Sequence, residues 1–97
     1  MNVPVRALDN YVFEVLMRDL VGHDRRPSAF LVYLAIEAFG NEGRRPVSHA
    51  ELAEQTGLSK RAVQDAINHL EGRSLVQVTR RGLTEAPSYK AVRPWRS

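Results

Sequence analysis

Arg61, Gln64, Asp65 and Asn68 are the residues of this 97-residue chain whose types and spacing define a chemistry. An arginine guanidinium donates two parallel hydrogen bonds to O6 and N7 of guanine, and a glutamine or asparagine amide pairs in the same two-bonded way with N6 and N7 of adenine. Set three or four positions apart, these side chains share one face of a helix and can present it to base edges. Ser59 and Lys60 stand at the start of that face, where free backbone amides and the positive end of the helix dipole suit a phosphate oxygen. Asp65 is repelled by phosphate, so it either accepts from cytosine N4 or holds Arg61, four residues earlier; the Arg61 pairing is the favoured reading.

Two short helices and a tight turn are needed to position these side chains, and the segment 48–70, SHAELAEQTGLSKRAVQDAINHL, spells them. A first helix is expected over 48–56, with Ser48 and Glu51 in the spacing of a capping box and Ala50, Leu52 and Ala53 facing inward. Gly57 ends it, because a glycine adopts positive φ without the penalty of a Cβ, and Leu58 plugs the turn. Ser59 caps the second helix, expected over 59–71. At 100° per residue, Ala62, Val63, Ala66, Ile67 and Leu70 gather opposite the polar face.

The run ELAEQTGLS as helix, turn and cap, the run AVQDAINHLEGRSLV as a helix leading into a strand, and the basic hairpin after it resemble the winged helix-turn-helix of bacterial transcription regulators of the GntR and MarR types. They are also similar to the DNA-binding modules of plasmid and phage replication initiators. The resemblance covers about residues 44 to 93 and has one departure, since glycine is usual where Ser74 stands. It implies a fold that is mainly α with a small β-hairpin, a recognition helix in the major groove and a wing beside it. Double-stranded DNA is the expected partner and transcription regulation the expected role, although the resemblance itself identifies no operator or effector. A replication-initiator module and a winged helix used for protein interaction are the alternatives.

Charge is distributed in keeping with a polyphosphate partner. Residues 1–58 carry six Lys or Arg against eight Asp or Glu, whereas residues 59–97 carry eight against three. The basic half thus begins at Ser59 and comprises Lys60, Arg61, Arg73, Arg80, Arg81, Lys90, Arg93 and Arg96. With 43% hydrophobic residues, 1–97 reads as one small domain with a single core and no room for an enclosed catalytic cleft. The absence of cysteine excludes disulfides and thiolate zinc sites. No secretory leader or membrane span is read in the sequence, so a cytoplasmic location is expected, with no membrane partner.

The remaining elements follow from periodicity. A wing hairpin is expected over 75–93, with Val76 and Val78 on one side of its first strand and Gly82 and Pro87 breaking the connection. That connection carries Arg80 and Arg81 near its tip, for backbone or minor-groove contact over 79–87, and Lys90 lies on the return strand. Upstream, a scaffold helix is expected over 28–40 from Phe30, Leu31, Leu34, Ala35 and Ala38, and Val47 is a candidate short edge strand.

An extra N-terminal helix is expected over 8–22, with Leu8, Tyr11, Val12, Val15 and Leu16 on its main apolar face and Phe13, Met17 and Leu20 beyond it. A helix apolar on more than one side calls for two surfaces, so a homodimer through this helix is expected. Trp95 is read as docking on the protein. His23, His49 and His69 show no metal-ligand spacing, and Ser48 beside His49 is explained by capping. No catalytic residue, cofactor or metal site is assigned, and the chain is read as a non-enzyme.

Overall fold

The computed structural model describes residues 8–41, 47–79 and 87–95. The chain is helical over 10–23, mostly in the wide turns of a π-helix, Val12–Leu16 and Arg18–His23. In these turns an amide bonds the carbonyl five residues back, as Met17 does to Val12. Val12, Leu16 and Leu20 are buried as a result, while Tyr11 and Val15 are exposed. This corrects the expected faces, which assumed 100° per residue; the wider turn rotates Leu20 into the core and Val15 out of it.

Arg25, with φ of +57°, closes this helix, and the amide of Arg26 reaches back to the carbonyl of Leu20 at 2.7 Å. Pro27 then opens α1, Pro27–Ile36, at a position where its missing N–H costs nothing. A π-helical turn, Glu37–Asn41, continues it. This helix packs against the N-terminal helix, α2, α3 and the hairpin, and Ala29, Phe30, Val32, Tyr33, Ala35 and Ile36 are all buried. Leu31, expected inside, is exposed. A helix surrounded on several sides buries more than one stripe, so the simple periodic assignment does not single out its solvent edge.

The next two helices are α2, His49–Thr56, and α3, Lys60–Gly72. Ser48 Oγ accepts from the Glu51 amide at 3.2 Å, the forward bond of the expected box, and the Ser48 hydroxyl also donates to Glu51 Oε1. Gly57 takes φ of +77° and its amide bonds the Ala53 carbonyl. Thr56 Oγ1 donates to the Leu52 carbonyl and accepts from the Leu58 amide, bracing the turn. Ser59 Oγ accepts from the Ala62 amide at 3.1 Å, starting α3 as the sequence predicts.

After α3 the chain turns through Ser74, at φ of +58°, into β1, Val76–Thr79, which pairs antiparallel with β2, Ser88–Ala91. Val76 faces Ala91, Gln77 faces Lys90, Val78 faces Tyr89 and Thr79 faces Ser88. Val47, the candidate edge strand, forms a single antiparallel bridge to Tyr89 among the described residues. The core joins Leu20, Val32, Tyr33 and Ile36 to Leu52, Val63, Ile67 and Leu70, with Val76, Tyr89 and Ala91 inward from the hairpin. Burying each of the larger aliphatic side chains stabilises the fold by about 1.5–3 kcal/mol.

Candidate nucleic-acid interface

Helix α3 presents the sequence-predicted residues on its outer side. Val63, Ala66, Ile67 and Leu70 are buried, while Ser59, Lys60, Arg61, Gln64, Asp65 and Asn68 are exposed. The amphipathic pattern therefore fixes the helix rotation, since turning α3 by half a revolution would bring its apolar row into water. On the outer face Gln64 Nε2 donates to Asn68 Oδ1 at 2.9 Å, one helical turn apart. The expected Arg61–Asp65 ion pair is not among the ion pairs of the described residues. Both side chains stand in water, where an i,i+4 pair contributes only about 0.3–0.5 kcal/mol and holding two long side chains costs entropy.

Lys90 is exposed on β2, opposite Gln77 on the outer side of the hairpin. Arg80 and Arg81, the expected wing tip, lie outside the described residues. Arg96 does so too. Of the other basic residues of this half, two face the protein. Arg73 donates to Asp24 Oδ1 at 3.2 Å and pairs with Asp19, and Arg93 pairs with Glu37, whose carboxylate is buried. The charge count alone cannot distinguish these inward-facing cations from Lys60, Arg61 and Lys90.

The cluster around Asp24 is the main feature that sequence reasoning missed. Its carboxylate is 6% exposed. Oδ2 lies 2.7 Å from His69 Nε2 and Oδ1 lies 2.9 Å from His23 Nδ1, besides the Arg73 contact. Hydrogen bonding to His23 and His69 and the charges of Arg73 and His69 hold Asp24 below its ordinary pKa, outweighing the opposing effect of burial. His69 comes from the last turns of α3 and Arg73 caps its end, so this carboxylate ties the C-terminal end of α3 to the loop between the N-terminal helix and α1.

The histidines are thus less dispersed than the sequence implies. Ligand atoms of Asp19, His23 and Asp24 come within 4.8 Å of one another, although the Arg73 guanidinium contacts both carboxylates and already supplies a cation. The only sequence signal for this arrangement was the i,i+4 spacing of Asp19 with His23 and of His69 with Arg73.

Beside this cluster, across a pocket lined by Asp19, Arg73, Tyr11 and Trp95, Trp95 Nε1 donates to Asp9 Oδ2 at 2.9 Å and the indole stacks on Tyr11 with centroids 4.5 Å apart. This matches the expected docking role. Tyr33 Oη donates to the Val92 carbonyl at 3.1 Å, fastening the end of the hairpin to α1.

A capped, outward-facing α3 set behind α2 across a glycine turn, followed by a two-stranded hairpin, defines a winged helix-turn-helix. The chain belongs to the helix-turn-helix domain family, which matches residues 26–76, just over half of its length. No curated protein matches it. Among the described residues no helix is long and apolar enough to cross a membrane.

Proposed function

We propose that this chain is a sequence-specific binder of double-stranded DNA and acts as a transcription regulator of the bacterial GntR/MarR type. Helix α3 enters the major groove, Arg61, Gln64 and Asn68 read bases, and Ser59 and Lys60 meet phosphate at its start. The 79–87 wing, with Arg80 and Arg81, and Lys90 on the return strand contact the backbone or the adjacent minor groove. The whole chain works as one domain in the cytoplasm and binds two half-sites as a homodimer. Its action is occupancy of a site, in keeping with a family that is typically non-enzymatic.

The observation that carries this reading is the polar outer face of α3, where Arg61, Gln64 and Asn68 are exposed while its apolar side is locked into the core. Titration against random-sequence duplex at several salt concentrations tests it. Affinity falling steeply with salt is expected, because each phosphate contact releases counterions. No binding to any duplex at low salt overturns it. Selection from a random duplex library then gives the site, and an inverted repeat with half-sites about one helical turn apart supports the regulator role.

A further inference from the structure

Five exposed apolar side chains lie on the N-terminal helix: Tyr11, Phe13, Val15, Met17 and Val21. Tyr11 is already engaged with Trp95. Phe13, Met17 and Val21, at 47%, 40% and 39% exposure, follow one another at four-residue intervals and form a row along one flank of the helix. Beside them Glu14 and Arg18 are exposed and take part in no ion pair among the described residues. The outer side thus carries an apolar row with a negative charge toward its N-terminal end and a positive charge toward its C-terminal end.

We infer that this row is the seat of a second copy of the chain, laid antiparallel about a twofold axis passing near Met17. The inference deepens the homodimer reading above by assigning its face and direction. A twofold contact is self-complementary, so each residue on one copy must find a suitable partner on the other. Antiparallel pairing about Met17 sets Phe13 against the partner's Val21 and Met17 against the partner's Met17, and brings Glu14 toward the partner's Arg18. Parallel pairing would instead leave Glu14 and Arg18 of the two copies on opposite flanks of the contact, where neither charge finds a partner. The charge order therefore selects a copy of this same helix, reversed, as the occupant.

The cysteine-free sequence makes the geometry directly testable. In Met17→Cys the only thiol lies at the axis, and a disulfide forms only where two Cα atoms come within roughly 4–7 Å. Mild oxidation of the full chain at about 100 µM, a range suited to weak dimers, is expected to give a covalent dimer of Met17→Cys. The Phe13→Cys and Val21→Cys variants should cross-link efficiently only when mixed.

Light scattering on the unmodified chain should give twice the mass of one chain, and Met17→Glu should return it to the mass of one. Three results overturn the inference: a monomeric unmodified chain; a dimer that Met17→Glu leaves intact; or a dimer in which Met17→Cys does not cross-link. The last result leaves the dimer reading standing and removes only the assigned face. Duplex titration of monomeric Met17→Glu separates all of these from the DNA reading, since salt-dependent binding persists if α3 is the interface.

Discussion

Asp24 and His69 stand 45 positions apart in the chain, and Oδ2 of one lies 2.7 Å from Nε2 of the other. Asp24 follows the N-terminal helix, and His69 occupies the buried side of the last turns of α3. Arg73, four residues beyond His69, adds a second bond to the same carboxylate and reaches Asp19 on the N-terminal helix. Helix α3 is therefore secured at its C-terminal end by charge-assisted hydrogen bonds and along its length by apolar packing.

Asp24→Ala is expected to cost about 1–2 kcal/mol, toward the low side for a charged hydrogen-bonded group because Arg73 is a third exposed and water screens it. The pH dependence has a definite sign. Asp24 has a lowered pKa in the folded state against an ordinary 3.8, so its stabilisation is present above that value and is lost as the pH falls through the lowered folded pKa. Urea midpoints measured from about pH 5 down to about pH 2, the range in which ordinary and lowered carboxylates take up protons, should show an acid limb that is shallower in Asp24→Ala. An acid limb identical in the two proteins contradicts this account.

Ser74 gives a second prediction. It occupies the left-handed region at the end of α3, where the amide of Leu75 returns to the carbonyl of Leu70 at 2.9 Å. A side chain there is strained by its Cβ, and glycine relieves it. Ser74→Gly is expected to raise stability by about 0.5–1 kcal/mol, the relief being partly offset by the greater freedom of glycine in the unfolded chain. Arg25→Gly should behave likewise, and thermal melts of the two variants check both. A lowered melting temperature in Ser74→Gly would show that the serine hydroxyl outweighs the backbone strain.

What the sequence made legible was local. Ser48, Gly57 and Ser59 act on amides or carbonyls three or four residues away, so their roles follow from spacing alone. The inward row of α3 was legible because that helix has one buried side. The same reasoning misplaced Tyr11, Val15 and Leu20, since no residue type announces a π turn, and it missed Leu31 because α1 is buried on several sides. It was blind to Asp24 with His69, Arg73 with Asp19, and Arg93 with Glu37, which join residues from opposite halves of the chain. The acidic first half and the basic second half look like separate surfaces in a count, but part of that opposition is neutralised inside the fold.

Glu37 and Arg93 show what such a pair contributes. The glutamate is 2% exposed, so removing Arg93 takes a cationic partner away from a buried carboxylate. Arg93→Met is expected to cost about 3 kcal/mol, whereas Glu37→Leu combined with Arg93→Met should recover most of the loss, because apolar packing replaces both charges at once. A denaturant titration of the two proteins decides the matter. Equal destabilisation would mean that Glu37 serves further contacts that leucine cannot supply.

The division between inward and outward cations leads to the last expectation, which concerns DNA. If Lys60, Arg61 and Lys90 meet the duplex while Arg73 and Arg93 do not, the two groups must differ in how they alter the salt dependence of binding. Lys60→Ala and Lys90→Ala should each lower the slope of log affinity against log salt by about 1 and weaken all sequences alike. Arg61→Ala should instead relax preference at one base pair by about 1–3 kcal/mol. Arg81→Ala should follow the lysines, as a backbone contact does. Arg93→Ala, measured well below its melting temperature, should leave the slope unchanged, because its charge already faces Glu37. A slope that falls equally for Arg93 and Lys60 would show that net charge alone, and not the face of α3, governs binding.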